Sequence, residues 1–566
     1  MALNEQEKKQ IIAKAQEYIE LEQESLFRNE VTKSLDEEAF DDLYDRFYTS
    51  LTFGTAGMRG IIGGGSNRIN PYMVRKVTQG FSNYLLKEFK NPTVVIAFDS
   101  RNYSELFARQ AALNLCANGI TVHLYYSIRP VPMLSFALRY LKANAGIVIT
   151  ASHNPAKYNG YKVYWSHGGQ VTEPHDNLIV ECVNKVEPTL IKNISYTEAL
   201  EKGLLKPVVE EVDEAYYKLV LDSLKQKELF ADTAIKVAYT PLHGSGNVPV
   251  RTLLERLEVE CEVVEQQELP DGNFPTVSMP NPEDHQAMRL AIELAKKIKA
   301  DLVLGTDPDA DRLGIAIPSD ETKKNYTLLN GNQIAVLLCD YLLNSTKSKK
   351  QPVVVKSIVT TDLIKKITET HKGVCYDVLT GFKFIAEKIA ALENSKEHYF
   401  LFGAEESYGY LYLSQIRDKD AVSSAVLATE MVAYYKKQNI TLQQRLDQIY
   451  KEYGYYTEDV LSFSYEGFDG QKKMASIMAS FRNLKVGDSF ANNLIVKTED
   501  LLKGEGDLPP SDVVILNFES GDKMVIRPSG TEPKIKYYLF FKTDYDNMVA
   551  FEQQMQQKVE SIKGQL

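Results

Sequence analysis

Three stretches of the chain repeat one arrangement of apolar and polar positions. TVVIAFD (93–99) is an apolar run followed by SELFARQAALNLCANG (104–119), with apolar positions at helical spacing, and then by ITVHLYY. AIKVAYT (234–240), NVPVRTLLERL (247–257) and VECEVVE repeat the order, as do PVVVKSIV (352–359), TDLIKKITETHKG (361–373) and VCYDVL. Each predicts a βαβ unit whose strands are buried on both faces of a largely parallel sheet. Ahead of them, residues 5–48 read as helical, with Ile11, Ile12, Ala15, Tyr18 and Ile19 on one face, a surface helix packed on the body. The last portion changes pattern. A helix opens at Thr441 as N-cap, the strand-like DVVILNF, KMVIRPS and PKIKYYLFFKT follow, and a closing helix aligns Met548, Phe551, Met555, Val559 and Ile562. The expected fold class is α/β: three similar mixed-sheet domains, 1–205, 206–325 and 326–450, and a smaller C-terminal α+β domain, 451–566.

Composition agrees with that division. At roughly 150 residues per domain, 566 residues give about four domains, and 44% hydrophobic with 25% charged residues excludes a disordered chain. A formal net charge of −11 argues against a surface built to grip nucleic acid, without excluding a local basic pocket. No uncharged run of about 18 apolar residues suggests a membrane span. The N-terminal stretch is too charged for a signal peptide. Five cysteines without a C-x-x-C pair fit a reducing compartment. A soluble cytoplasmic protein is expected.

Three motifs carry candidate chemistry. GTDPDADR (305–312) follows the apolar run ADLVL, so its acids should lie at a strand's C-terminal end, where open α/β sheets bind ligands. Asp307, Asp309 and Asp311 can converge hard oxygens on one cation. The EF-hand alternative fails, because Arg312 and Pro318 stand where that loop needs Gly and Glu. Three carboxylates beside Arg312 suit Mg²⁺ that also meets a phosphate; an acidic turn solvated by water is the alternative. TASHNP (150–155) follows AGIVI and offers Ser152 beside His153 and Asn154, without the G-x-S-x-G context of a hydrolase, so on these residues alone a plain turn before proline is the favoured reading. Lys162 follows ten residues after Ser152. RPSGTEPKIK (527–536) combines Arg527, Ser529, Gly530 and Thr531 in a loop suited to a phosphate dianion, with a plain Pro-Gly turn as competitor. FGTAGMRG (53–60) and HGSGNVP (243–249) are glycine-rich without dinucleotide or P-loop spacing, and GAEESYGY (403–410) groups Glu405, Glu406 and Ser407.

In their order, FGTAGMRG, TASHNP, GTDPDADR, GAEESYG and RPSGTEPK resemble the α-D-phosphohexomutase superfamily, the phosphoglucomutase and phosphomannomutase enzymes. The FGTAGMRG form and the length are most similar to the bacterial branch that also holds phosphopentomutases. The resemblance implies a heart-shaped, four-domain fold around a central cleft. It implies that Ser152 carries a phosphoryl group and that Asp307, Asp309 and Asp311, with an oxygen on Ser152, hold one Mg²⁺ per chain. Glu405 and Ser407 would bind sugar hydroxyls, with Lys383 of TGFKFI and Arg312 near the same ligand. Arg527, Ser529, Gly530 and Thr531 would grip the non-transferring phosphate. Arg59, His153 and Lys162 would sit at the transferring phosphate, with Lys162 as general acid/base. The implied reaction interconverts α-D-glucose 1-phosphate and glucose 6-phosphate through glucose 1,6-bisphosphate, which also primes the enzyme. Mannose or pentose phosphates, or release of the bisphosphate as product, are the alternatives. A non-catalytic sugar-phosphate sensor would need neither Ser152 nor the Asp triplet. Partners are expected to be small sugar phosphates only, with no nucleic acid and no membrane, and the chain a monomer or homodimer. The sugar loop departs from the G-E-x-S-G-H of many relatives, with Ala404 before Glu405 and Tyr408-Gly409-Tyr410 after Ser407.

Overall fold

The computed structural model describes residues 4–54, 57–465, 467–528 and 534–566, side chains at 467–469 and 471 excepted. The chain divides into two compact units, Met1–Leu329 with Gly409–Ala433, and Asn330–Tyr408 with Tyr434–Leu566.

The first unit holds two sheets. In the first, Thr93–Phe98 pairs in parallel with Thr121–Leu124 and Ala145–Ile149, and Thr121–Leu124 with Leu205–Pro207. Tyr158–Trp165 then returns antiparallel to Ala145–Ile149, with Gly57–Ile61 antiparallel outside it. In the second sheet, Lys236–Thr240 runs parallel to Glu260–Val263 and Leu302–Thr306, while Leu313–Pro318 folds back antiparallel. Two of the predicted βαβ units are therefore present, and each sheet becomes mixed where a hairpin-like return follows a functional loop. Ala145–Ile149 and Leu302–Thr306 are buried along their whole length. That explains their unbroken apolar sequence and fixes the loops that leave them.

The N-terminal stretch forms three helices, Glu5–Leu21, Ser25–Asp36 and Phe40–Phe47. A capping box between Asn4 and Glu7 starts the first. Ile11, Ala15 and Tyr18 are buried against Val31, Leu43, Phe47, Tyr72 and Met73, as the periodicity requires, whereas Ile12 and Ile19 are only partly buried.

In the second unit, Gln351–Ser357 runs parallel to Val374–Val378 and His398–Glu405, the third βαβ unit. Its other sheet is antiparallel throughout: Tyr455–Ser464, Lys534–Thr543, Lys523–Pro528, Val514–Phe518, Asn493–Asp500 and Ser489–Phe490 in that spatial order. Helix Leu442–Tyr453 has Thr441 as N-cap, its hydroxyl accepting from the Gln444 N–H. The closing helix Met548–Lys563 buries Phe551, Val559 and Ile562. No described helix is long and apolar enough to cross a membrane.

A polar seam ties the two sheets of this unit together. Fully buried Lys356 lies 3.0 Å from Asp362 and 2.6 Å from Asp377, and Asp362 also takes Lys523 at 2.6 Å. Nearby, Glu458 accepts from Asn332 Nδ2 at 3.0 Å, and burial pushes its carboxyl up to about 7 despite donors from Thr361 and Asn332. A raised carboxyl means that its stabilising contribution is complete below the unfolded value of 4.5 and is lost as pH rises through about 7. Glu458→Gln is expected to flatten the fall in melting temperature between about pH 5 and about pH 8. Differential scanning calorimetry of both proteins checks this, and parallel profiles would refute it.

Candidate functional site

The loop leaving Ala145–Ile149 carries Ser152, and the loop leaving Leu302–Thr306 carries the three aspartates. The structure brings them together: Ser152 Oγ donates to Asp307 Oδ2 at 2.7 Å. Ser152 is nearly buried at 9% exposure, and its φ of +50° is a left-handed conformation that costs a non-glycine residue about 1 kcal/mol or more. Ala310 in the aspartate loop (φ +48°) and Tyr408 in the 403–410 loop (φ +65°) share the feature. Three of the motifs read from the sequence thus hold backbone that the surrounding structure must enforce.

What enforces Ser152 is a set of buried polar groups that the sequence did not flag. Arg101 donates to the carbonyls of Pro155 and Tyr158, both at 3.0 Å, and to those of Ser152 and Asn154. It pairs with buried Asp99 at 3.4 Å and lies over the Phe274 ring. The Thr150 hydroxyl donates to Asp99 at 2.6 Å, accepts from the Ser152 N–H at 2.8 Å, and lies 3.1 Å from Asp309 Oδ2. Thr150 therefore joins the serine loop to the aspartate loop. On the far side, Gly244 of HGSGNVP backs the aspartate loop so closely that a Cβ there would stand 2.4 Å from Pro308 Cα. The N–H and hydroxyl of Ser245 both donate to the Pro308 carbonyl at 2.8 Å. The glycine-rich HGSG segment is a buttress.

Asp307, Asp309 and Asp311 are buried, with ligand oxygens within 4.8 Å of one another. Asp307 Oδ1 accepts from the backbone N–H groups of Asp311 (3.1 Å) and Arg312 (3.0 Å). Asp309 Oδ2 and Asp311 Oδ2 face cations: Lys162 at 3.0 and 3.6 Å, and Lys419 at 3.2 Å from Asp311. Their Oδ1 atoms are buried and have no hydrogen-bond partner among the described residues. Orphaned carboxylate oxygens are costly unless something else satisfies them, and two in one cluster fit a hard divalent cation. Burial and the neighbouring Asp309 and Asp311 charges push Asp307 well up, whereas Asp311, although buried, is held low by Lys419, Lys162 and Arg312.

The flanking groups are chosen by charge state. His153 Nδ1 is 3.3 Å from Ser152 Oγ, and burial followed by Arg312 drives its pKa well below the usual histidine value, so it is neutral. Burial opposes the Lys162 charge, but Asp309 and Asp311 more than offset it and keep an ammonium there. Arg59 donates to Asn154 at 3.1 Å, and Arg312 to Glu283 at 2.5 Å. Lys419, absent from the sequence reading, is itself placed by Asp418 at 3.6 Å, and Asp418 accepts from Tyr164 at 2.7 Å.

The second unit carries the other predicted residues that are described: Lys383, Glu405, Ser407 and Arg527. The backbone N–H of Gly381 donates to Glu405 Oε1 at 2.7 Å, so TGFKFI and GAEESYGY do meet, with Lys383 in the first turn of the adjoining helix Phe382–Leu392. Ser407 lies on the turn after His398–Glu405. Burial and then Glu405 raise Glu406 to about 7, and Ser357 donates to it at 3.2 Å. Arg527 is the penultimate residue of the strand Lys523–Pro528; burial and then Glu406 raise the Tyr538 hydroxyl, with Arg527 opposing and Glu405 adding to the shift. The sugar-loop acids and the arginine thus converge around one tyrosine. Ser529, Gly530 and Thr531 lie outside the described residues.

Residues 50–189, 214–320 and 330–453 match, in turn, the alpha/beta/alpha domains I, II and III described for phosphoglucomutase/phosphomannomutase. A phosphoglucomutase of Staphylococcus epidermidis is 37% identical over 548 residues, covering 94% of this chain and 97% of its own. One from Staphylococcus aureus is 37% identical over 514 residues, covering 89% and 92%. The open form of parafusin, a phosphoglucomutase from Paramecium, superposes with a TM-score of 0.67 at 18% identity, covering 91% of this chain and 96% of that one.

Proposed function

The chain belongs to the phosphoglucomutase/phosphomannomutase family, and on that premise we propose how its own residues divide the work. The activity is that of a phosphoglucomutase, interconversion of α-D-glucose 1-phosphate and glucose 6-phosphate through a bisphosphorylated sugar. We assign Ser152 as the residue that carries the phosphoryl group. The observation that supports this most is its hydroxyl, held 2.7 Å from Asp307 in a strained, over-determined loop beside the orphaned carboxylate oxygens.

Asp307, Asp309 and Asp311, with an oxygen on Ser152, would hold Mg²⁺. When bound, it neutralises charge on the phosphoryl oxygens and polarises phosphorus. In the forward transfer the Ser152 Oγ–P bond breaks as a sugar hydroxyl oxygen bonds to phosphorus. The ammonium of Lys162 is set to give a proton to the departing serine oxygen, and the amine so formed to take up the proton that the sugar hydroxyl sheds as it bonds phosphorus; the reverse transfer runs the same exchange backwards. Neutral His153 lines the serine as a hydrogen-bonding group without adding charge. Arg59 and Lys419 supply positive charge for the phosphoryl oxygens. Glu405, Ser407 and Lys383 are assigned to sugar hydroxyls, and Arg527 to the phosphate that is not being transferred. Arg527 must serve both orientations of the sugar, so its contribution is uniform binding, which lowers KM more than it raises kcat.

Comparison of kcat/KM for glucose, mannose and ribose 1-phosphates, each primed with glucose 1,6-bisphosphate, tests the substrate. Glucose 1-phosphate is expected to lead. A wide lead for ribose 1-phosphate would overturn the sugar assignment and leave the phosphoserine chemistry standing.

Thr150 is assigned a positioning role. Thr150→Val keeps the volume and removes the hydroxyl shared by Asp99 and the Ser152 N–H. It is expected to lower kcat by about 10- to 100-fold with KM little changed, because a misplaced nucleophile loses near-attack geometry. Thr150→Ser should recover most of the loss. Equal kcat for the valine and serine variants would show that the hydroxyl does not position the loop.

A further inference from the structure

Lys162 and Tyr164 stand two residues apart on the strand Tyr158–Trp165, so they face the same side of its sheet. Lys162 reaches Asp309 and Asp311 directly. Tyr164 is fully buried and donates its hydroxyl to Asp418 Oδ2 at 2.7 Å. Gln170, paired with Tyr164 in an antiparallel bridge, donates to the same oxygen at 3.1 Å. The other oxygen, Asp418 Oδ1, accepts from the Lys419 N–H at 2.8 Å and lies 3.6 Å from the Lys419 ammonium. That ammonium is 3.2 Å from Asp311 Oδ2, the oxygen that Lys162 also faces at 3.6 Å. One strand therefore sets two cations on Asp311, the first with its own side chain and the second through a buried carboxylate.

The backbone on either side of Lys419 is tied down as well. Asp420 is fully buried and accepts from the Tyr216 hydroxyl and the Ser423 N–H, both at 2.9 Å, and its own N–H donates to the Tyr410 carbonyl at 2.8 Å. Gly409 closes on the lysine from another direction: a Cβ there would stand 2.2 Å from Lys419 Cδ and 2.8 Å from its Cγ. The φ of Gly409 is not positive, so its backbone does not demand glycine, whereas the stem of Lys419 does. A lysine has a flexible four-carbon stem, and fixing its ammonium at one atom takes constraints of this kind.

We propose that Tyr164 is a positioning residue of the phosphoryl site, acting through Asp418 to hold the Lys419 ammonium on Asp311, with Gly409 leaving the space that the lysine stem occupies. The proposal rests on the assignment of Lys419 to the phosphoryl oxygens. It adds a residue to which that chemistry gives no part.

A double-mutant cycle separates positioning from a plain structural tie. Tyr164→Phe keeps the ring and removes the donor. It is expected to lower kcat for glucose 1-phosphate about tenfold with KM little changed, the size of one hydrogen bond to a buried charged group. Gly409→Ala, which leaves Asp418 alone and crowds the stem, should also lower kcat. Lys419→Ala should itself cost about 100-fold in kcat, and in that background either change should cost less than about twofold more. A crystal structure of Tyr164→Phe should show Lys419 Nζ more than about 4 Å from Asp311 Oδ2, beyond ion-pair distance. Losses that persist undiminished in Lys419→Ala would make Tyr164 a structural tie and overturn the proposal. So would a kcat unchanged by Tyr164→Phe, or a lysine unmoved in the variant structure. A Lys419→Ala protein with the parent's kcat would remove the lysine from the chemistry and the proposal with it. Phosphoryl labelling of Ser152 by glucose 1,6-bisphosphate, read by intact mass in the parent, reports on the mutase reading separately from all of these.

Discussion

Ser152→Ala is expected to lower kcat for glucose 1-phosphate by on the order of 10⁴-fold or more, with the protein still folded. The size follows from the role: without the serine oxygen no covalent phosphoryl intermediate forms, and neighbouring groups have no substitute nucleophile to activate. The fold should tolerate the change. The backbone N–H of Ser152 keeps its bond to Thr150, and the carbonyl clamp of Arg101 is untouched. What disappears is one hydroxyl donated to Asp307, while the aspartate keeps two backbone donors. Glucose 1,6-bisphosphate should label the parent protein with one phosphoryl group by intact mass and leave the variant unlabelled. Substantial mutase activity or labelling in the variant would remove Ser152 from the mechanism.

The parts of this site that could be read from the sequence are those whose chemistry is local. Three aspartates at alternate positions after an apolar run declare both their ligand type and their place at a strand end. TASHNP and RPSGTEPK likewise carry their functional groups within a few residues. The groups that complete the site come from far away in the chain, and their local context is ordinary. Lys419 sits among charged residues, RDKDA, that look like a solvated turn, yet it is largely buried against Asp311. Asp99 and Arg101 read as the polar end of a strand. Their value lies in four carbonyls contributed by another loop. HGSGNVP lacks dinucleotide spacing, and no pattern could reveal that Gly244 is glycine because Pro308 passes so close.

The fold was legible for the same reason, and to the same depth. Buried strands and amphipathic helices write their period into the sequence, so all three βαβ units could be placed. The antiparallel returns at Leu313–Pro318 and Tyr158–Trp165 depend on how a loop redirects the chain, which periodicity does not encode. Nor does it encode that Gly409–Ala433 groups with the first unit although the strand before it lies in the second. The backbone of Gly409–Ala433 reaches the aspartate loop through Ala421 N–H to Ala310 O at 3.2 Å, and its side chains through Lys419. A segment chosen for such contacts has no period of its own.

Asp309→Asn is expected to produce the second large loss, and it separates two readings of the aspartate cluster. If the acids are simply a polar loop, replacing one by its isostere should matter little. If they hold Mg²⁺, removing a full negative charge and a ligand oxygen should weaken the metal and cost on the order of 10²- to 10³-fold in kcat/KM. Stability supplies a readout that does not need turnover. Without metal, three carboxylates are buried together, and burial first, then repulsion from Asp309 and Asp311, holds Asp307 well above the usual carboxylate range. The variant in EDTA should therefore melt at or above the parent. Added Mg²⁺ at a hundred times its Kd would stabilise the parent by about 2.7 kcal/mol, because the metal binds the native state alone. The variant should gain far less at the same concentration. The order of melting temperatures should thus invert on adding Mg²⁺, variant first in EDTA and parent first with metal. A variant that tracks the parent in both conditions would take Asp309 out of the metal site, and with it the explanation of its orphaned oxygen.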